Sequence, residues 1–323
     1  MSALVQAAIW SAAATLVVLG VSKVWRRTDA ALWHGVWTAI AAASLALPLA
    51  NLVLPRAQLS FAGDSPVGRE LESWAAGFAA SDLVLIAYAI GVAWCLLRLA
   101  SGLLLVQRLC RRSLIVEGLP QTRLHQFIGQ ASRLVRTHRR VQVPLTAGWR
   151  APVVLLPETW LTWESERLTA VLRHELAHVA RRDYAWNIVA ACFHALYWFS
   201  PAAWIVTRNI RLTAELAADR WASDEMGRVP YARILIESAR DLLRGRRAGM
   251  LAPSAATVLE ARVAALTGMP DDAPSSSSRA RRLAIGVIVV ALLASAFVRL
   301  GIGLPTPVPA DHQARHAAQH AKH

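Results

Sequence analysis

Residues 162–183, TWESERLTAVLRHELAHVARRD, carry the reading on which the fold turns. Thr162 is placed to cap a helix, with Glu164 and Glu166 in its first turn, where the helix dipole favours negative charge. Leu168, Val171 and Leu172 continue an apolar face. On that helix stands His174-Glu175-Leu176-Ala177-His178. Histidines at i and i+4 project about 40° apart, so both imidazoles can reach one zinc ion at roughly 2.0–2.1 Å. Glu175 points to a neighbouring direction, where it can serve as a base instead of a ligand. A charged helix face with two surface histidines would read the same way. The apolar neighbours Val171, Leu172 and Val179 weigh against it, because burying His, Glu and His requires a reason.

Downstream, residues 208–219 (RNIRLTAELAAD) form a second helix filled with Ala and Leu on one side. At 100° per residue, Arg208, Arg211, Glu215 and Asp219 fall within about 80° of one another. Glu215 suits a third metal ligand, and Asp219, one turn on, suits a hydrogen-bond acceptor for the free ring nitrogen of a ligand histidine. An internal Arg211–Glu215 ion pair is the competing reading. Three protein ligands would leave a zinc position open to water, as catalytic sites require.

The rest of the chain places this helix pair beside a membrane. Of 323 residues, 55% are hydrophobic and 17% charged, with mean hydropathy +0.36, whereas soluble domains carry about 25% charge. That excludes disorder, collagen and coiled coil. Three cysteines without CxxC exclude a disulfide scaffold and a cysteine zinc finger. A net charge of +14 suits anionic headgroups, with nucleic acid as the competing partner. The basic run 133–140 is accompanied by no nucleic-acid motif, so no direct nucleic-acid contact is expected.

Four stretches are long enough to span: 3–24, 32–54, 83–106 and 283–304. Lys23, Arg26 and Arg27 follow the first; Arg108, Arg111 and Arg112 follow the third; Arg279, Arg281 and Arg282 precede the last. The positive-inside rule then puts the N-terminus outside, residues 107–282 in the cytoplasm and the tail outside. Arg98 within the third span is expected to snorkel. A fifth apolar stretch, 186–206, has arginines at both ends, contains Asn187 and His194, and is broken by Pro201. It reads as a helix packed in the cytoplasmic domain or dipping into the inner leaflet. Between Val141 and Pro157, two β-branched runs around Ala147-Gly148 read as a hairpin or edge pair, which could take an extended peptide by strand addition.

With these residues assembled, the chain resembles the BlaR/MecR family of antirepressor-type membrane zinc metallopeptidases. The resemblance lies in HELAH with Arg181-Arg182-Asp183, in Trp198-Phe199-Ser200-Pro201 with Trp204, in Arg208, Arg211, Glu215 and Asp219, and in Pro152–Pro157 upstream. It implies one zinc per chain held by His174, His178 and Glu215, with Glu175 as general base. It also requires residues 186–206 to return to the side they left. Family receptors carry a penicillin-binding sensor after the last span; here only residues 305–323 follow it, so direct β-lactam sensing is not expected.

The expected architecture is mainly α: a polytopic bundle of about four spans in a bacterial inner membrane, with a cytoplasmic gluzincin-like α+β zinc metallopeptidase domain. Its parts are a membrane domain 1–106, a peptidase domain 107–269, a flexible linker 270–282, a fourth span 283–304 and a short His-containing tail 305–323. The linker is the expected place for self-cleavage. The expected activity is regulated cleavage of a cytoplasmic protein such as a transcriptional repressor; partners are that substrate, the lipid bilayer and, in one arrangement, a second copy in a homodimer. Asp219, Arg208, Arg211, His194 and Tyr197 are candidates for supporting the ligands or stabilising the oxyanion. A membrane-protein quality-control protease and a non-catalytic transducer with a structural zinc are the alternatives.

Overall fold

The computed structural model of the chain describes residues 2–24, 30–53, 82–116, 134–245 and 253–268. Three apolar helices come first: α1 (Ser2–Val24), α2 (Ala30–Val53) and α3 (Asp82–Arg111). Residues 83–111 of α3 are long and apolar enough to cross a membrane, and that helix buries almost nothing against the protein. Trp94, Leu97 and Leu105 stand exposed along it. Such a surface is at home in lipid, not in water. Arg98 is exposed on the same helix. Among the described residues α3 alone meets the combined requirement of length and apolar composition; within α1 and α2, Ala8–Gly20 and Ala30–Ala46 are shorter apolar stretches. The stretch 283–304, the linker 270–282 and the tail 305–323 lie outside the described residues.

A small sheet follows: β1 (Leu114–Ile115), β2 (Val135–Thr137), β3 (Leu145–Ala147) and β4 (Val153–Leu156), in the order β1-β2-β4-β3. β2 and β4 are parallel; β3 pairs antiparallel with β4, Thr146 opposite Val154, which is the pairing expected around Ala147-Gly148. Gly148 makes the turn at φ +90°, and a Cβ there would meet the Ala151 carbonyl at 2.3 Å. Every side chain of β4 is buried, the pattern of a strand covered on both faces.

The motif helix is α4 (Ser165–Arg181). Its start differs from expectation. Residues Glu158–Thr162 form a 3-10 turn, in which the Thr162 hydroxyl donates back to the Thr159 carbonyl at 2.8 Å. That oxygen is therefore not the cap. Trp163 is extended and packs against the sheet–helix core, and the cap position falls to Glu164. Leu168 and Leu172 bury against Val135, Val154 and Leu156, so the sheet holds one face of α4.

Four further helices complete the described chain: α5 (Asp183–Leu196), α6 (Pro201–Met226), α7 (Arg228–Gly245) and α8 (Pro253–Thr267). Arg182, at φ +57°, ends α4 and begins α5, its N–H donating to the His178 and Val179 carbonyls. Pro201 opens α6 at its first turn, where the missing N–H is not needed. The fifth apolar stretch thus divides between α5 and α6. Phe193 of α5 and Tyr197 just after it, with Val206 and Ile210 of α6, share one buried core with Ala14, Val18, Val36, Trp37 and Ile40 of α1 and α2.

Candidate metal centre

His174 and His178 lie one turn apart on α4, and α6 brings Glu215 against them. Their Nε2 atoms face each other at 3.2 Å; Glu215 Oε2 is 3.5 Å from His174 Nε2, and Oε1 is 3.8 Å from His178 Nε2. Among the described residues these three form the group able to hold a metal ion, one ligand atom from each lying within 4.8 Å of the others. Two ligands at about 2.05 Å on a tetrahedral centre sit about 3.3 Å apart. The observed spacings fit that geometry.

The supporting residues strengthen the fit. His178 Nδ1 is 2.6 Å from Asp183 Oδ2, and His174 Nδ1 is 3.1 Å from Asp219 Oδ1 and 3.0 Å from the Tyr231 hydroxyl. With each Nδ1–H donated to a carboxylate, each Nε2 lone pair is turned inward toward Glu215. Two lone pairs and a carboxylate aimed at one point are mutually repulsive without a proton or a cation between them. Nitrogen, nitrogen and carboxylate oxygen are the donor set of a catalytic zinc.

Local sequence explains these placements. The left-handed turn at Arg182 lets Asp183 begin the next helix while its carboxylate reaches back to His178. Arg181 completes Asp183's partners and donates to the Ala214 carbonyl at 2.8 Å, tying α4 to α6 one residue before Glu215. Arg262, on α8, reaches the same place: Nε and Nη2 hold Asp219 at 2.7 and 2.6 Å, and Nη1 is 3.0 Å from Glu215 Oε2. The Tyr231 hydroxyl donates to Asp219 Oδ1 at 2.7 Å.

The electrostatics follow from these contacts. Burial by itself pushes the His174 imidazole down; its hydrogen bonds to Asp219 and Glu215 and their negative charge outweigh this and hold it at about 9. Burial likewise pushes Glu215 up, but His174 and the Arg262 charge bring it to about 2. Asp219, against the same burial, is held well below the carboxylate range by Arg262 and His174. Asp183, also against burial, is lowered by His178 and Arg181. Burial and the Asp219 charge keep the Tyr231 phenol protonated, a permanent donor.

Glu175 is 6% exposed and lies between the two histidines in sequence. Thr146, on edge strand β3, donates to its Oε2 at 2.7 Å and to its backbone carbonyl at 3.0 Å. The other expected residues are distributed differently. Arg208 and Arg211 are exposed on α6, two turns and one turn before Glu215. His194 stacks edge-on against Trp204, ring centres 4.5 Å apart, with its Nδ1 buried and unbonded. Tyr197 is fully buried and its hydroxyl donates to the Ser44 carbonyl at 2.9 Å. It ties α2 to the turn after α5, and that hydroxyl is committed there instead of facing a substrate.

Sequence reasoning assigned no role to Thr146, Tyr231 or Arg262, and quoted Asp183 without one. A carboxylate directly after an HExxH helix was the available signal for Asp183. A single arginine in the apolar run 257–267 (TVLEARVAALT) was the signal for Arg262, but nothing in it names Asp219 as its partner.

The family model described as BlaR1 peptidase M56 matches residues 2–266. The chain is 28% identical over 79 residues, 24% of its length, to the regulatory protein BlaR1 of Bacillus licheniformis, and 25% identical over 118 residues, 35% of its length, to that of Staphylococcus aureus. These matches span 13% and 20% of the two relatives. The chain belongs to the BlaR1 peptidase M56 family.

Proposed function

We propose that this chain is an integral-membrane zinc metalloendopeptidase whose active site faces the cytoplasm and cuts a cytoplasmic protein, such as a transcriptional repressor, under control of a signal. The carrying observation is the convergence of His174, His178 and Glu215 with Glu175 beside them, held through its Oε2 by Thr146. A structural zinc needs a fourth ligand and no base; here the supporting acids Asp183 and Asp219 are occupied by the histidines' outer nitrogens, and Glu175 is left for proton transfer.

Zinc held by these three side chains would polarise the scissile carbonyl and make water acidic enough to attack near neutral pH. Glu175 takes the water's proton on a carboxylate oxygen and returns it to the leaving amine. Strand β3 has its outer edge unpaired among the described strands and carries Thr146, so an extended peptide laid along it would pass beside Glu175. Arg208 and Arg211, exposed two turns and one turn before Glu215 on α6, are kept as candidate donors to an oxyanion. The positive-inside pattern supports an outside N-terminus, a cytoplasmic peptidase domain and further spans around α3 in a bacterial inner membrane. Self-cleavage in the linker 270–282 belongs to the same reading.

The test is zinc content and cleavage in purified full-length wild type, Glu175→Gln and Glu215→Ala. One zinc in wild type, zinc without cutting in Glu175→Gln, and loss of metal in Glu215→Ala are expected. Zinc retained at full occupancy in Glu215→Ala sinks the ligand assignment, and undiminished cutting by Glu175→Gln sinks the mechanism.

A further inference from the structure

The turn between α5 and α6 meets α3 far from the metal centre. The Tyr88 hydroxyl of α3 donates to the Leu196 carbonyl at 3.0 Å, and the Tyr88 and Phe199 rings meet edge-on, centroids 6.0 Å apart. One turn further along α3 stands Gly91, where a Cβ would overlap the Trp198 indole, so the turn lies directly on the helix. Arg108 and Arg111 close the opposite end of α3. The sheet that supports α4 begins just beyond them, with Arg136 of β2 donating to the Cys110 carbonyl at 3.3 Å. The metal centre is therefore at the arginine end of α3 and the α5–α6 turn near the other. At 1.5 Å per residue Gly91 stands about 25 Å from Arg108, most of a hydrocarbon core of about 30 Å. Even Arg98, exposed midway, falls about 10 Å short of Gly91.

α2 agrees. The Ile210 carbonyl lies 3.1 Å from His34 Nδ1 near the start of that helix. The Tyr197 hydroxyl reaches the Ser44 carbonyl about 15 Å further along it. From Tyr184 to Thr207 the chain holds no Asp, Glu, Lys or Arg, while Arg181, Arg182 and Asp183 precede that stretch and Arg208 and Arg211 follow it. Phe199 and Trp204 are 52% and 60% exposed at the tip. A turn in water leaves carbonyls to the solvent, whereas in lipid each needs a donor from the protein. Here the Leu196 carbonyl has the Tyr88 hydroxyl, that of Tyr197 the Ser200 N–H, that of Trp198 the Trp204 indole, and that of Ser200 the Ala203 N–H. Water could not reach Phe199 and Trp204 without also reaching the apolar flank of α3 beside them.

We propose that residues 184–207 form a re-entrant membrane hairpin: its tip, with Phe199 and Trp204, contacts the acyl chains of the bilayer beside α3, and both its ends return to the side of the metal centre. The inference rests on α3 crossing the bilayer. α5 rises about 20 Å from Asp183 to Leu196, so the metal centre sits at the membrane surface, and a substrate must come to the headgroup layer to be cut.

The experiment uses the full chain with Cys95, Cys110 and Cys192 replaced by Ala, reconstituted in vesicles of phosphatidylcholine and phosphatidylglycerol. A nitroxide is attached in turn at Phe199→Cys, at Trp204→Cys, at Leu97→Cys on the exposed flank of α3, and at Glu237→Cys, exposed on α7. Collisions with molecular oxygen, which concentrates in lipid, are compared with collisions with a water-soluble nickel chelate, and melting curves confirm that each variant is folded. Oxygen is expected to dominate at Phe199, Trp204 and Leu97, and nickel at Glu237, with the ratio at Phe199 shifted toward lipid as far as that at Leu97. Either tip position carries the test should the other variant not fold. Nickel dominating at the tip while Leu97 remains in lipid overturns the inference and leaves α3 as a span. Protection of the tip from both reagents also overturns it, since a protein surface such as a second copy would then cover Phe199 and Trp204. Nickel dominating at Leu97 overturns the membrane reading of α3, and this inference with it.

Discussion

Arg262 Nη1 stands 3.0 Å from Glu215 Oε2 while the other two nitrogens of its guanidinium hold Asp219. One side chain from α8 therefore bridges Glu215, a proposed metal ligand, and the carboxylate behind His174. Removing one partner of a buried ion pair leaves an unpaired charge and costs about 3–5 kcal/mol. Arg262→Ala is expected to lower the unfolding temperature strongly and reduce zinc occupancy; Arg262→Lys keeps the charge but not the fork and falls between. Thermal unfolding with elemental analysis of the same preparations checks both. Wild-type occupancy in Arg262→Ala would remove Arg262 from the site.

The Thr146 hydroxyl holds the proposed base at 2.7 Å. A hydrogen bond to a charged group contributes about 1.5–3 kcal/mol. Thr146→Ala is expected to cut kcat at least about tenfold with zinc content unchanged, and Thr146→Ser to restore it. Steady-state cleavage of a peptide substrate distinguishes this from a packing effect, which Ser would not repair.

Zinc and a proton compete for His174. Its neighbours hold the metal-free imidazole at about 9, so below that pH the cation must displace a proton. The sign is then fixed: apparent zinc affinity rises with pH up to about 9 and levels off above it, as far as this residue is concerned. Chelator competition between pH 6 and 10, at constant ionic strength, measures the slope; an affinity that does not change with pH would contradict it.

Two buried tyrosines should behave differently. The Tyr197 hydroxyl donates to Ser44 in the helical core, whereas that of Tyr231 touches Asp219 and His174. Each lost bond is worth about 1 kcal/mol. Tyr197→Phe is expected to lose stability alone, with zinc affinity and cleavage intact. Tyr231→Phe is expected to lose stability and weaken zinc together. Parallel melting curves and zinc titrations separate them.

The candidate ligand set could be drawn up from the sequence because its residues obey local helical geometry. His174 and His178 share a face by the four-residue spacing, and Glu215 and Asp219 share one on their own helix. The helix break at Pro201 was legible for a similarly local reason, since proline fixes its own backbone and disfavours a helix before it. The start of the motif helix was not, because Thr162 closes a preceding 3-10 turn and the packing of Trp163 moves the cap to Glu164.

What remained hidden depends on contacts between segments far apart in the chain. Spacing along one helix cannot tell that Arg262 meets Asp219 across 43 residues, that Thr146 meets Glu175 across 29, or that Tyr197 is tied to Ser44 across 153. Side-chain direction within a helix is set by covalent geometry and can be computed from position. Which helix faces which is set by the burial of whole apolar surfaces, to which any one polar residue contributes little. The sequence by itself therefore determined the chemistry of the candidate site; only the tertiary structure decided which residues hold it in place.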